Sequence, residues 1–323
     1  MACLNIAKSA SNVICLSGTP VVNRPREFFT TLSMVRPELF PSFWDYAKTY
    51  CDAKNNGWGW DFSGSSNTEQ LHSKLTDSIM IRRLKRDVLK ELPDKVRSVI
   101  PLALTNQAEY DKASEDFLVW LCGQEDGENK AAKAAQAETL TRISALKQLT
   151  AKGKTKPVLE WINDFLNSTD EKLILFCWHK SMADKIHKAF TGSIVKVTGS
   201  ESKEQRQEAV DRFQEEPSCR LLVGNIKAAG VGLTLTAASN VAFVELPWTP
   251  GDLTQAEDRA HRIGQKEVVN IYYLLAQGTI EEDMAEILDH KRAVLAEVLD
   301  GDFKVTEDES SMISMLLDKV KNK

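Results

Sequence analysis

From about residue 156 onward, short apolar runs alternate with stretches of helical spacing. LILFC (173–177), IVKV (194–197), RLLVG (220–224), VAFVEL (241–246) and VVNIYYLL (268–275) have strand length and are mostly rich in β-branched residues. Between them, residues 157–167, 180–190, 203–215 and 254–263 space their apolar positions as helices do. This rhythm predicts βαβ units, and hence a parallel sheet flanked by helices. A last helix is expected over 279–299, with a frayed acidic stretch at 300–311. The first half reads differently. NVICL (12–16) is a short apolar run closed by Ser17-Gly18-Thr19-Pro20, which predicts a buried strand ending in a turn. Residues 23–100 read as mostly helical, interrupted by a loop at NNGWGWDFSGSS. Residues 106–151, rich in Ala, Gln, Glu and Lys, predict long helices with a mobile polar break near Gly123–Asn129. No internal repeat is visible.

Length and composition narrow the class. The 323 residues suffice for two domains, or for one with large insertions, and 42% hydrophobic content can fill a core. The net charge of -5 does not draw nucleic acid, so any such binding must come from local patches. The six cysteines (Cys3, Cys15, Cys51, Cys122, Cys177, Cys219) are at least twelve positions apart. That spacing argues for reduced thiols rather than a disulfide framework or a zinc site. The five histidines show no ligand spacing. No apolar run approaches the roughly 18 residues of a membrane span, and the N-terminus lacks the features of a signal peptide. These features predict a soluble, intracellular chain.

The candidate chemistry turns on phosphate. A P-loop needs G-x-x-x-x-G-K-[ST], because its amides wrap the phosphates and its lysine reaches the terminal ones. Gly153-Lys154-Thr155 supplies only the last three residues, since Gln148 stands at the first glycine position. Gly59 and Gly64 have the right spacing, but Ser65 follows where lysine is needed. No apolar run ends in an Asp-Glu pair that could hold magnesium. QAEDRAHRIGQ (255–265), by contrast, carries Arg259 and Arg262 three apart, which on a helix puts them on one face with Gln255 one turn earlier. An Arg-x-x-Arg pair is ordinarily a solvated or salt-bridged face. Here a strand-following loop, AAGVGLTL (228–235), lies upstream, and its Gly230 and Gly232 permit close backbone approach. Both segments follow strand ends, where open α/β sheets bind ligands. Guanidinium groups there suit a polyphosphate.

An ordered set of motifs carries a resemblance. LSGTP (16–20), RRLKRDVLKELPDK (82–95), LILFCWHKSMADKI (173–186), VTGSESKEQRQEAVDRF (197–213), NIKAAGVGLTLTAASNVAFVELPWTP (225–250) and QAEDRAHRIGQ follow one another over roughly residues 1–300. The chain resembles the second half of a Swi/Snf-type helicase-like ATPase, a branch of helicase superfamily 2. The resemblance implies an α/β fold in which a RecA-like parallel sheet, lobe 2, follows a mostly helical protrusion region and the last strand of lobe 1. The implied division is the end of lobe 1 at 1–22, protrusions and linker at 23–155, lobe 2 with a brace helix at 156–300, and a polar tail at 301–323. Ser17, Ala229-Gly230, Thr234, Glu245 and Thr249 depart from the commonest family residues. Those variants look most like the annealing-helicase branch.

For this chain the resemblance implies that Arg259 and Arg262 act as arginine fingers, with Gly230, Gly232 and Gln255 shaping the ATP cleft. Ser17, Gly18 and Thr19 would couple closure to DNA movement. His179, Lys180, Thr198, Gly199, Arg206 and Lys227 would grip the DNA backbone, although each can also be read as an ordinary surface or turn residue. The 82–86 basic cluster is as readily a solvated or salt-bridged face as a DNA contact. Trp248 could brace its loop or simply pack, and Trp58 and Trp60 read best as loop packing. ATP and Mg2+ would be held mainly by a lobe 1 that these residues do not include, in cis or in trans, so the chain alone is expected not to hydrolyse ATP. No metal site is expected on this part. The implied partner is double-stranded or branched DNA, with no membrane. The setting would be nuclear in a eukaryote and cytoplasmic in a prokaryote or virus. The alternative is a catalytically inert lobe serving as a DNA- or protein-binding module. An unrelated glycosyltransferase-like lobe would explain the sheet but not the ordered motifs.

Overall fold

The computed structural model describes residues 2–55, 59–122, 130–230 and 232–301, with backbone alone for Ala2, 120–122 and 130–137. The described chain forms two compact units. One gathers residues 2–88, 249–251 and 286–301, the other residues 89–248 and 252–285. The division at 88/89 falls well before residue 156, where the motifs suggest that lobe 2 begins.

The first unit contains α1 (Ala2–Ser9), a 3₁₀ turn (Pro25–Phe28), α2 (Phe29–Val35), α3 (Phe43–Tyr50), a short antiparallel ladder of β1 (Lys54–Asn55) and β2 (Trp60–Asp61), α4 (Thr68–Ser78) and α5 (Lys85–Val88). Ser42 caps α3 by accepting the Asp45 N–H at 3.3 Å, which supplies one of the bonds a helix start lacks. Phe28, Leu32, Phe40, Tyr46, Leu71 and Leu75 form a core with Leu295, Val298 and Leu299. Trp60 packs edge-on to Trp44 with centroids 5.0 Å apart, as loop packing requires. Trp58 lies outside the described residues. In the basic cluster, Arg82 is ion-paired with Asp300, and Arg86 reaches Asp87 at 3.9 Å.

The strand expected at 12–16 does not form. These residues are irregular, and Ile14 and Leu16 are 82% and 92% exposed. A strand needs a neighbour to take its amides and carbonyls, and among the described residues no strand pairs with this segment.

The second unit is built on β3 (Lys95–Leu102), α6 (Gln107–Cys122), α7 (Lys130–Gly153), α8 (Thr155–Ser168), β4 (Leu173–Cys177), α9 (Lys180–Ala189), β5 (Ile194–Val197), α10 (Lys203–Glu215), β6 (Leu221–Asn225), α11 (Ile226–Ala229), β7 (Asn240–Phe243), α12 (Pro250–Glu257), β8 (Val269–Ala276) and the start of α13 (Ile280–Asp300). The break expected at Gly123–Asn129 lies outside the described residues. Six strands run parallel in the order β3-β8-β7-β4-β6-β5. Central β4 is buried along its whole length, which is why LILFC shows no polar alternation. Leu173, Leu175 and Cys177 meet Val158 and Ile162 of α8 and Met182, Ala183 and Ile186 of α9. From the strand's alternate positions, Phe176 stacks on Phe243 at 5.4 Å.

Edge strand β3, KVRSVIPL, lies in the stretch read as helical. Among the described residues it pairs only with β8, so its other edge tolerates Pro101, and Val96 and Val99 are left 48% and 57% exposed. That mixture hides the alternation by which a strand is recognised.

The partial P-loop match at 153–155 has a packing explanation. A Cβ on Gly153 would come 1.6 Å from the Asn106 Oδ1. Lys154 is wholly buried and donates to both oxygens of Glu281 at 2.5 and 2.6 Å and to the Leu274 carbonyl at 3.1 Å. Gly153 therefore serves close packing and Lys154 a buried ion pair.

Candidate active site

Parallel strands deliver their C-terminal ends to one edge of the sheet. Past β4 come Trp178 and His179, past β5 Thr198, past β6 the 226–232 segment, and past β7 Glu245. Most of the residues singled out from the sequence stand along this edge.

The arginine pair departs from the expected geometry. α12 ends at Glu257, and Arg259 and Arg262 sit in successive turns rather than on a helix running to 263. Past Asp258 the bonding turns irregular: Arg259 N–H reaches the Ala256 carbonyl at 3.1 Å and Arg262 N–H the Ala260 carbonyl at 3.0 Å, while only His261 keeps a helical-range bond, to the Glu257 carbonyl at 3.2 Å. Acidic Glu257 and Asp258 at the helix's negative end favour stopping there. Gly264, at φ 102°, then turns the chain toward β8. The arginines converge nonetheless. Arg259 Nη1 and Arg262 Nη1 both donate to the Leu233 carbonyl, at 3.0 and 3.2 Å. Arg259 Nε bonds the Gln255 carbonyl at 2.9 Å, and the Leu235 N–H returns to the Arg259 carbonyl at 2.9 Å. Burial, and then the charge of Arg262, lower the pKa of the half-buried Arg259 guanidinium, with Asp258 opposing. Two like charges meeting at one neutral carbonyl make a site that an anion would stabilise.

The glycine loop has two distinct roles. Asn225 starts α11 by accepting the Lys227 N–H at 3.2 Å. A Cβ on Gly230 would lie 2.3 Å from the Ile226 carbonyl and 3.7 Å from the Ala256 Cβ, so the clearance there is filled by the chain itself. Gly232 adopts φ 79°, and a Cβ there would meet nothing within 4 Å. Only Gly232 thus leaves open space beside the arginines' acceptor, Leu233. Val231 lies outside the described residues.

The expected DNA-contacting residues divide as well. His179 Nδ1 lies 2.5 Å from Glu245 Oε1, and Glu245 Oε2 accepts the N–H groups of Trp178 and His179 at 3.0 and 2.9 Å. Burial pushes the Glu245 carboxyl up, but His179 outweighs it and holds the group below its ordinary value. Lys180 and Gly199 are exposed. Thr198 is fully buried, its hydroxyl 2.7 Å and its N–H 2.5 Å from Glu201 Oε2, so it shapes the turn rather than projecting from it. Arg206 Nε donates to the Glu201 carbonyl at 3.0 Å. Exposed Lys227 reaches Asp252 at 2.8 Å and lies 5.8 Å from the Trp178 ring.

Two features had no signal in the sequence. Lys147 of α7 is 4% exposed, donates to the Leu246 carbonyl at 3.1 Å and lies 4.3 Å from the Trp248 ring and 5.5 Å from that of Trp178. Burial pushes its amine down to about 8. Trp248 is thus braced by a cation from a helix a hundred positions away. The second is Glu257, whose partners are on β3 and β8. No local pattern could announce either pairing.

A parallel sheet of this order, flanked by helices and gathering two arginines past its strand ends, is a RecA-like lobe of the helicase type. The SNF2-related domain model matches residues 3–155, and the helicase conserved C-terminal domain model matches residues 153–264. The chain belongs to the SNF2-related, Swi/Snf-type family of helicase-like ATPases. It is 41% identical over 300 residues to the "SWI/SNF-related matrix-associated actin-dependent regulator of chromatin subfamily A-like protein 1" of Xenopus tropicalis, covering 92% of this chain and 31% of that protein. It is 39% identical over 305 residues to "DNA annealing helicase and endonuclease ZRANB3" of Homo sapiens, covering 92% of this chain and 28% of that protein. These similarities agree with the branch suggested by the departing motif residues. The chain spans about three tenths of the length of these relatives. The "Sulfolobus solfataricus SWI2/SNF2 ATPase core in complex with dsDNA" shares the fold, with a TM-score of 0.51 and 24% identity over 85% of this chain and 60% of that one. Among the described residues, no helix is long and apolar enough to cross a membrane, and no three His, Cys, Asp or Glu side chains gather to hold a metal.

Proposed function

We propose that this chain forms the second lobe and adjoining protrusions of a DNA-dependent ATPase that translocates on double-stranded or branched DNA, and that Arg259 and Arg262 serve ATP hydrolysis. The observation that carries the reading is their convergence on the Leu233 carbonyl beyond the strand ends. When ATP is held by a nucleotide-binding lobe, in cis or in trans, the guanidinium groups exchange that carbonyl for γ-phosphate oxygens. There they stabilise the charge of phosphoryl transfer, a contribution on the order of 10³–10⁵ in kcat. Gly232 and Gln255 border the cleft, and magnesium, which would neutralise charge on the phosphates, would be held by the lobe that carries the P-loop. Lys180, Gly199, Arg206 and Lys227 are the groups on this edge best placed for sequence-independent contact with a phosphate backbone. Ser17, Gly18 and Thr19 take the coupling role. In a eukaryotic cell the motor would work in the nucleus.

The test is ATP turnover with and without double-stranded DNA, for this chain alone and for the motor complete with its nucleotide-binding lobe. Turnover is expected only in the complete motor. Arg262→Ala should remove DNA-stimulated turnover and leave DNA binding within about twofold. Unchanged turnover in Arg262→Ala refutes the assignment. No turnover in the complete, folded and DNA-bound motor would favour a binding module.

A further inference from the structure

Past Asp258 the turn that presents Arg259 and Arg262 mixes three-residue and shorter bonds with a single helical-range one from His261, so contacts from outside the turn contribute to where it lies. The side chain of Glu257 is the anchor. It is fully buried and sits two positions before Arg259. Its Oε1 accepts Arg97 Nε at 3.0 Å and the Tyr273 hydroxyl at 2.8 Å, and its Oε2 accepts Arg97 Nη2 at 2.6 Å and Lys95 Nζ at 3.1 Å. Lys95 also reaches Asp258 at 3.2 Å. Two cations of β3 thus face two carboxylates of the turn, a balanced set, and Arg97 engages Glu257 as a two-pronged fork. Burial opposes the Arg97 charge, but Glu257 outweighs it and holds that guanidinium above its ordinary pKa.

The backbone of the same residue continues the hold. The Glu257 carbonyl accepts the N–H groups of Ala260 and His261 at 3.3 and 3.2 Å, and His261 Nε2 lies 2.7 Å from the Pro93 carbonyl. Residues 93–97 therefore grip the turn on either side of Arg259. The Glu257 salt bridge is made at the last residue of α12, the position from which the arginine turn departs.

We propose that Glu257 is a positioning residue for ATP hydrolysis, acting through Arg97, Lys95 and Tyr273 to fix the turn that aims Arg259 and Arg262. The proposal rests on the reading of those arginines as ATPase groups. Glu257→Gln keeps the shape, removes the charge and turns amide hydrogens toward two cations.

The experiment uses the complete motor, with its own nucleotide-binding lobe, and measures DNA-stimulated ATP turnover. Glu257→Gln is expected to lower kcat about tenfold or more with KM for ATP moved less than about twofold, because displacing a reacting group by a fraction of an ångström acts on the reaction rather than on binding. Circular dichroism at the assay temperature checks that the variant is folded. The same change in an Arg262→Lys background, where the guanidinium at position 262 is already lost, should cost much less than tenfold, since residues acting through one another are not additive. An equal loss in both backgrounds, or an unchanged kcat, overturns the proposal. Unimpaired turnover in Arg262→Lys alone overturns the finger reading instead. If Glu257→Gln does not fold, Tyr273→Phe carries the test, removing one of the four bonds and no charge. Its kcat should fall about twofold or more with KM unmoved, and an unchanged kcat overturns the clamp.

Discussion

Replace Lys154 by methionine, which matches the aliphatic stem but carries no charge. Lys154 and Glu281 have side chains 0% and 3% exposed, so neither reaches water. The substitution deletes two bonds to the Glu281 carboxylate and one to the Leu274 carbonyl, leaving the carboxylate the Ala276 N–H at 3.1 Å. An unpaired carboxylate in such a place destabilises by about 3–5 kcal/mol, well above the roughly 1 kcal/mol of an exposed pair. For a unit of this size that is a drop of roughly 6–20 °C in melting temperature. Urea unfolding followed by circular dichroism measures it as a lower midpoint at unchanged slope. Glu281→Leu added to Lys154→Met removes the stranded charge and should recover most of the loss, because two well-packed apolar groups can replace a buried pair. A single-variant loss under about 1 kcal/mol, or a double variant no better than the single, refutes the assignment of Lys154 to structure.

Other outcomes follow from the same geometry. Lys147 has its folded pKa lowered from 10.5 to about 8, so between those values the unfolded chain holds more protons and stability should rise with pH; a urea midpoint that stays flat from pH 7.5 to 10, or does not flatten in Lys147→Met, contradicts this. Burial pushes the Glu201 carboxyl up, but bonds from Thr198 and Ser200 outweigh it and bring it down to about 2 from 4.5. The stability this confers is present above about pH 4.5 and fades as pH falls toward 2, so the deficit of Thr198→Val should be larger at pH 6 than at pH 2.5. Equal deficits at the two values would remove the Thr198–Glu201 link. Arg262→Ala, within the complete motor, should lose DNA-stimulated ATP turnover while retaining DNA affinity, read by turnover and filter binding in parallel.

Strands with strong local patterns were readable in advance. LILFC, IVKV and RLLVG became β4, β5 and β6 within a residue or two, because strands with both faces covered are written as mostly apolar runs, broken in edge strand β5 only by Lys196. NVICL carried the same signal and formed no strand, since apolar character does not supply a bonding neighbour. KVRSVIPL carried little signal and became β3, since an edge strand with one pairing side can keep charges and a proline. The arginine spacing suggested a shared helix face, whereas the two side chains converge from turns. Their shared carbonyl at Leu233 and the β3 partners of Glu257 lie 26 to 162 positions away, which no local window contains.

Strand β3 also sets a timetable for biogenesis. Its last residue, Leu102, pairs with Ala276, which is synthesised 174 residues later. At roughly 5–20 residues per second, β3 waits about 10–35 s on the ribosome before β8 exists to receive it. During that interval Val96, Val99 and the backbone of β3 are open to the wrong partner. The strand that meets the arginine turn in the finished protein is therefore a long-lived liability of the nascent chain, and a segment a chaperone would have reason to hold.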